Sequence, residues 1–503
     1  MLGIIHLNAK LIYGLNNKKN PYYKVEPFRN NEKNYLVAIN DKKLINSNKK
    51  YYVLFKPNAE SEEERMPKSK LIKIIGEVGQ KNAELEKFLY YHKINQTKHN
   101  FKHKQTKNIY DIIDKEEISN YKDLTDLYTV AIDPPGCKDI DDAMSYEYTD
   151  CHNVYVHISD VSFWVKKYNL EEYINKQKFT FYSYNKNYNV FPQFFSENLF
   201  SLCYNQERLA FTLHMKFDEN YTMISSEFLL SIVKVNKTMT YKKAENIVNQ
   251  NDNLKMLFDI SKTLFPTDGD FDFHNVIENY MVMTNKLSAE FLIKHSQDVI
   301  LRKHSIKTRE TPTFENQQLK TFMKFYFMES AVYDKYTEGN DYYHNGLDLE
   351  YYCHFTSPIR RVVDIDTHLK MKKILHNDTF EINLDCEKIN EENKRFKKAY
   401  RDFEKINKLF NAKLNENYTA HIIDINCSKD NRIRVYIPEL GITETIKLFS
   451  EKMLGNVYEA TRTDNMLEIT NKETNEVSKY YQYSSINIKI LKSSSDFIFN
   501  ITN

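Results

Sequence analysis

Apolar and polar residues alternate in short runs from residue 1 to about 92, with LVAI at 36–39, KYYVLFKP at 50–57 and KLIKIIGEVG at 70–79 separated by polar, turn-like stretches. That pattern predicts a small all-β domain, with the charge-dense NAESEEERMPKSK of 58–70 as an exposed loop. From His92 to Asn108 the chain carries Lys93, Lys98, Lys102, Lys104 and Lys107 and no acid, so this stretch reads as a linker or as a basic strip beside a polyanion. Alternation resumes between about 127 and 235 in LYTVAID, VYVHISDV, LAFTLHMKF and SEFLLSIVKV, the last two joined by a turn at 218–220. Helical spacing follows over 284–304 and 315–335, where Leu287 and Phe291, then Leu319, Phe322 and Met323, form packing stripes. A charged helix over 389–410, read as a solvated face, leads into alternating strands suited to a five-stranded barrel. The predicted order is barrel, large α+β core, barrel.

Composition narrows the chemistry. A chain of 503 residues corresponds to about three domains at roughly 150 residues each. Lys plus Arg number 71 and Asp plus Glu 69, so no global positive charge announces a nucleic-acid partner. The 37 Tyr and 31 Phe, beside the single Trp164, belong to a folded chain. None of the ten glycines stands in a phosphate-cradling pattern, which sets aside P-loop and dinucleotide-binding enzymes. Six scattered cysteines without a CxxC pair suit a reducing compartment, cytoplasm or nucleus. The N-terminus lacks a secretory pattern, and no apolar run reaches the ~18 residues that a membrane span needs.

Two segments carry candidate chemistry. IDPPGCKDIDDA at 132–143 packs Asp133, Asp139, Asp141 and Asp142 onto one Pro-Gly turn after a strand. Carboxylates so close repel, and bound divalent cations, with magnesium favouring hard oxygen ligands, offset that repulsion; taken alone, an acidic loop is more often a solvated turn. GLDLEYYCHFTSPIRRVVDIDTH at 346–368 supplies a helix-start signal at Thr356-Ser357-Pro358, followed by Arg360 and Arg361. A guanidinium there can grip phosphate bidentately and stabilise developing charge, or simply form a salt bridge. Asp364 and His368 share its helical face and either orient Arg360 or cap a polar stripe.

Together the two segments resemble the ribonuclease II (RNB) family of 3′→5′ exoribonucleases, which includes the catalytic subunit of the eukaryotic exosome. The family's Asp-Pro turn followed by Asp-x-Asp-Asp-Ala stands here at Asp133–Ala143, and its HFTSPIRR signature is unchanged at His354–Arg361. VHISDVSFWV at 156–165 and FPQFFSENLFSL at 191–202 are also similar. The resemblance implies a cold-shock-like OB-type RNA-binding domain at 1–98, a basic linker at 99–120, an RNB catalytic domain at 121–412 and a C-terminal OB-type domain at 413–503. It implies hydrolysis of single-stranded RNA to nucleoside 5′-monophosphates, with Asp133, Asp139, Asp141 and Asp142 holding magnesium as two ions. Asp141 and Arg360 would be catalytic, and Tyr182, Tyr241, Phe273 and Arg361 would contact RNA, Phe273 by stacking.

The chain departs from the family at Ala289-Glu290, where two acids are usual and the first helps read the ribose; selectivity for RNA over DNA is the property this touches. Neither an endonuclease domain nor a second cold-shock-type barrel is expected ahead of the first barrel, so docking to an exosome is not expected; the expected state is a monomer. A non-catalytic RNA-binding regulator, or a scaffold recruiting decay factors through the 389–410 helix, is the alternative, and no acid expected as a metal ligand and no catalytic arginine is missing.

Overall fold

The computed structural model describes every residue except 8–10, 29–32, 59–64, 96–108, 184–185, 268, 296–297, 306–313, 315, 426–430, 450–454, 456, 494–495 and 503. Most of the basic stretch at 92–108 and part of the 58–70 loop therefore lie outside the described residues. The chain forms two compact units: Met1–Ile94 with Thr308–Met328 and Lys397–Asn503, and Asn95–Lys307 with Glu329–Phe396.

In the first unit, strands Leu2–His6, Tyr22–Pro27, Tyr35–Ala38, Lys68–Glu77 and Lys50–Pro57 close, in that order, into a barrel. Alternate residues point inward, so Ile5, Val25, Val37, Val53 and Phe55 fill the interior. The helix Lys81–Tyr91 is fastened to this barrel by a buried polar knot. Glu84 accepts from Tyr52 Oη at 2.9 Å and from the Gly79 N–H at 2.8 Å, and Lys87 bonds both Glu84 and Tyr52.

The C-terminal β-region differs from a single five-stranded barrel. Five strands run in the order Ile442–Lys447, Arg432–Ile437, Asn417–Asp424, Ser485–Lys492 and Phe497–Thr502, while Tyr458–Arg462, Met466–Asn471 and Val477–Tyr481 make a separate three-stranded meander. The helix Gln317–Phe327 packs Leu319 and Met323 on Ile423 and stacks Phe322 on Tyr436 at 3.9 Å.

The second unit is organised by a six-stranded sheet: Glu207–Phe217, His152–Ser159, Asp142–Tyr148, Thr129–Ile132, Met223–Met239 and Lys122–Asp123. The 17-residue strand Met223–Met239 pairs antiparallel with Glu207–Phe217 along its first part and parallel with Thr129–Ile132 along its last, so the sheet curls onto itself. One face, with Val130, Val156, Ile158, Phe211 and Leu213, joins a core with Val276, Tyr280 and Leu292 of the helix Phe273–His295. The other face carries Ala131, Ala143 and Ala210 beside a run of fully buried polar groups. There Thr129 Oγ1, Ser145 Oγ, His157, Thr212 Oγ1 and Ser231 Oγ are linked in series at 2.6–2.9 Å. Burial, aided by His214, lowers the His157 pKa to about 3, so the ring stays neutral.

Two helical expectations change. The first stripe begins earlier, in Phe273–His295, and Ile300–Lys303 is a strand paired with Val332–Lys335. β-branched and aromatic content at those ends, together with a cross-strand partner, outweighs helical spacing. The charged helix is present as Cys386–Asn411. No helix among the described residues is long and apolar enough to cross a membrane.

A buried ion pair joins three elements of the second unit. Asp160 caps the helix Val161–Tyr168 through the Phe163 N–H, accepts from Tyr121, and receives Lys372 Nζ at 2.8 and 2.6 Å. Burial opposes the Asp160 charge, yet Lys372 and these hydrogen bonds hold its carboxyl below the usual range. Lys372→Met is expected to lower the unfolding free energy by about 3–5 kcal/mol in urea melts. The pair's contribution is complete above the unfolded carboxyl value of about 3.9 and is lost as pH falls through the lower folded value. In Lys372→Met only the hydrogen bonds from Tyr121, Ser162 and the Phe163 N–H still oppose burial, so the Asp160 carboxyl rises and this stabilisation above the carboxyl range shrinks.

Candidate active site

The acidic loop leaves the buried strand Thr129–Ile132 with its first backbone donor already used, since the Asp133 N–H bonds Met239 O at 3.0 Å. Gly136 turns the chain at φ +82°, a left-handed conformation that a side chain would strain. Beyond it, Ser201 Oγ donates to Lys138 O and accepts the Ile140 N–H, while the Ser159 N–H bonds Asp141 O. Asp142 then opens the next strand, opposite Ile158. Pinned at both ends, the loop delivers Asp133, Asp139, Asp141 and Asp142 to one cavity of about 610 Å³.

The HFTSPIRR segment meets that loop directly. Asp141 Oδ1 accepts the Ile359 N–H at 2.8 Å, and its Oδ2 lies 3.6 Å from Arg360 Nε. Ser357 and Pro358 stand in a turn, not a helix start; the helix begins at Val362. Asp364, in its first turn, receives the Ser357 N–H and the Nε and Nη2 of Arg361. Asp364 therefore holds Arg361 rather than orienting Arg360, and His368 bonds the Phe355 carbonyl oxygen. Arg360, with its side chain 45% exposed, makes its other bond to Ser357 Oγ and faces the cavity.

Charge in the cavity is poorly compensated. Burial raises the Asp133 carboxyl to about 6, with Asp139 adding to the rise against the Cys137 hydrogen bond and Arg360. Burial and then Asp133 carry Asp142 to about 8, and burial lifts Asp141 well above the carboxylate range despite Arg360 and the Ile359 N–H. Four hard carboxylate donors facing one arginine match the chemistry of a divalent-cation site. Among the described residues, however, no three His, Cys, Asp or Glu side chains are already gathered as a ligand set; Tyr182 and the Ile359 N–H hold Asp139 and Asp141 in place.

Of the aromatic candidates, Tyr182, 37% exposed, lines the cavity and donates to Asp139 Oδ2 at 2.6 Å. Tyr241 also lines it, its ring stacked on His274 at 3.7 Å, and burial followed by Asp133 and Asp142 raises its hydroxyl to about 12. Phe273 does not line it: it is fully buried against Phe258 in the first turn of its helix, where no base can reach the ring. Ala289 is likewise fully buried in the core, whereas Glu278, Met281, Val282 and Asn285 present that helix to the cavity.

Sequence reasoning missed Asn285, which accepts the Phe355 N–H at 2.7 Å and donates to Tyr352 and Thr356, holding the signature segment against the helix. The available signal was a polar residue on the inner side of an apolar helix, one turn before Ala289. His274, beside Tyr241, was missed too.

A model of the RNB domain matches residues 121–264 and 262–377, just over half of the chain. Exosome complex exonuclease RRP44 of Homo sapiens is 25% identical over 86% of this chain and 53% of its own length, and Ribonuclease R of Aquifex aeolicus is 27% identical over 55% and 49%. The chain spans about half the length of these curated relatives. Mycoplasma genitalium RNase R in complex with ribose methylated single-stranded RNA superposes over 100% of both chains with a TM-score of 0.68 at 15% identity. Yeast Ssd1, a pseudonuclease, gives 0.65 at 16% identity over 96% of this chain and 67% of its own. The α+β core with barrel-like β-domains expected from the sequence is the fold these structures share.

The two adjacent arginines are expected to separate in a stability measurement. Arg361→Met strands the fully buried Asp364 and should cost about 3 kcal/mol, whereas Arg360→Ala, at a half-exposed side chain, should change unfolding by less than about 1 kcal/mol. Chemical denaturation of both variants checks this.

Proposed function

The chain belongs to the RNB family, and on that footing we propose that it is a magnesium-dependent 3′→5′ exoribonuclease that hydrolyses single-stranded RNA to nucleoside 5′-monophosphates. The observation that carries this reading is the meeting of Asp141 with Ile359 and Arg360 in the cavity that Asp133, Asp139 and Asp142 share. Asp133, Asp139, Asp141 and Asp142 would hold the magnesium, drawn together as ligation replaces their present partners. When bound, two such ions activate the attacking water and neutralise the leaving 3′-oxygen of an in-line displacement.

The remaining steps fall to the chain's own groups. Arg360 would clamp the non-bridging oxygens of the scissile phosphate, its fork steadied by Ser357 Oγ. Tyr182 and Tyr241 offer ring faces to bases or sugars, a grip that tolerates any sequence. Arg361 serves RNA only indirectly, by fixing the turn that presents Arg360. RNA as the strand is supported by the family match and by the likeness to an RNase R bound to single-stranded RNA.

A second reading, an RNA-binding protein without activity, is favoured by the likeness to the pseudonuclease Ssd1. The retention of all four acids and Arg360 supports the enzyme. Digestion of 5′-labelled single-stranded RNA in Mg²⁺ or EDTA, beside a matching DNA strand, separates the two readings. The expected result is a magnesium-dependent ladder that shortens from the 3′ end of RNA alone, is abolished in Asp141→Asn, and is slowed about 10²–10³-fold in Arg360→Ala. Tight RNA binding with no cleavage in Mg²⁺ would establish the second reading.

A further inference from the structure

Glu392 is a carboxylate that the proposed reaction does not use. It lies on the helix Cys386–Asn411, whose charged pattern predicts solvated side chains, yet its own side chain is only 13% exposed. It accepts the Lys178 N–H at 2.7 Å and is also bonded by the Phe179 N–H. These two donors begin a short extended segment, 178–182, that runs beside the arginine turn. The Val362 N–H bonds Lys178 O and the Thr180 N–H bonds Arg360 O, each at 3.0 Å, and Phe179 pairs with Arg361 as an antiparallel bridge. Phe179 and Phe181 rest on Phe396, one helical turn past Glu392, with ring centroids 6.3 and 5.8 Å away. The segment ends at Tyr182, which reaches Asp139. One strand thus carries the exposed tyrosine and is bonded to the backbone of Arg360, and one mostly buried carboxylate holds its start.

We propose that Glu392 is a positioning residue that sets the register of 178–182 against 360–362, and so fixes where Tyr182 stands relative to Arg360 when RNA enters. The inference rests on the RNA-degrading reading of the cavity. A carboxylate bonded to two successive N–H groups orients both peptide planes at once, and its loss leaves those donors without a partner. Because side chains alternate along an extended segment, a slip of one residue turns Tyr182 away from Asp139. The consequence is misalignment of the strand's end, not a change of charge at the phosphate.

The test measures binding of a 5′-fluorescent single-stranded oligoadenylate to the full chain in EDTA by anisotropy, and kcat and KM in Mg²⁺. Glu392→Ala is expected to weaken RNA binding and raise KM about ten-fold, the scale of one lost charge-assisted hydrogen bond. Glu392→Gln, which keeps an acceptor oxygen, should stay within about three-fold of wild type. In a Tyr182→Ala background, Glu392→Ala should cost nothing further, because the side chain it positions is gone. Glu392→Asp, with the same charge on a shorter arm, replaces Glu392→Ala should the latter fail to fold, and should show the same coupling. Wild-type binding by Glu392→Ala, or an undiminished loss in the Tyr182→Ala background, would overturn the proposal. A wild-type chain that never digests RNA but shows the coupling in EDTA overturns the nuclease reading alone.

Discussion

The second unit turns on one hydrogen bond, from the Ile359 N–H to Asp141 Oδ1, between residues 218 positions apart in the chain. It joins the acidic loop, launched from the curled sheet, to the arginine turn, launched from the helix Val362–His376. A carboxylate in this setting is costly to bury, and the backbone donor together with Arg360 3.6 Å away offsets part of that cost. The remainder is visible as the raised carboxyls of Asp133, Asp141 and Asp142. The fold tolerates an electrostatic deficit at this point because everything around it is over-determined: Ser201 and Ser159 pin the loop, and Asp364 and Asn285 pin the turn.

Local pattern was enough where local physics decides. The strand read at 50–57 is Lys50–Pro57, the LAFTLHMKF run lies within Glu207–Phe217, and the charged helix is Cys386–Asn411. Each has a strong period over its whole length. Legibility faded where a partner distant in sequence chooses between two outcomes, as at Ile300–Lys303, which becomes a strand because Val332–Lys335 lies beside it.

The site divides along the same line. The gathering of four acids and an arginine in one cavity was legible because their spacing is dense and their chemistry distinctive. The individual orientations were not. Arg360 and Arg361 are neighbours in sequence and opposite in circumstance: one faces the cavity, the other is locked to Asp364. Phe273 and Ala289 face the core, a matter of helical phase that a motif match does not carry. Glu392 was hidden by composition, since a charged helix gives no sign of which one of its acids turns inward.

The buried hydroxyls and imidazole that cross the sheet from Thr129 to Ser231 have a meaning for how the chain reaches its fold. An apolar interior accepts many alignments of its strands at similar energy. A row in which each of five strands contributes one hydrogen-bonding group accepts one, because any displaced strand would bury its hydroxyl or ring nitrogen with nothing to meet. The row acts as a combination lock on the sheet, and since the acidic loop joins two of its strands, the alignment of the carboxylates is settled when the sheet closes.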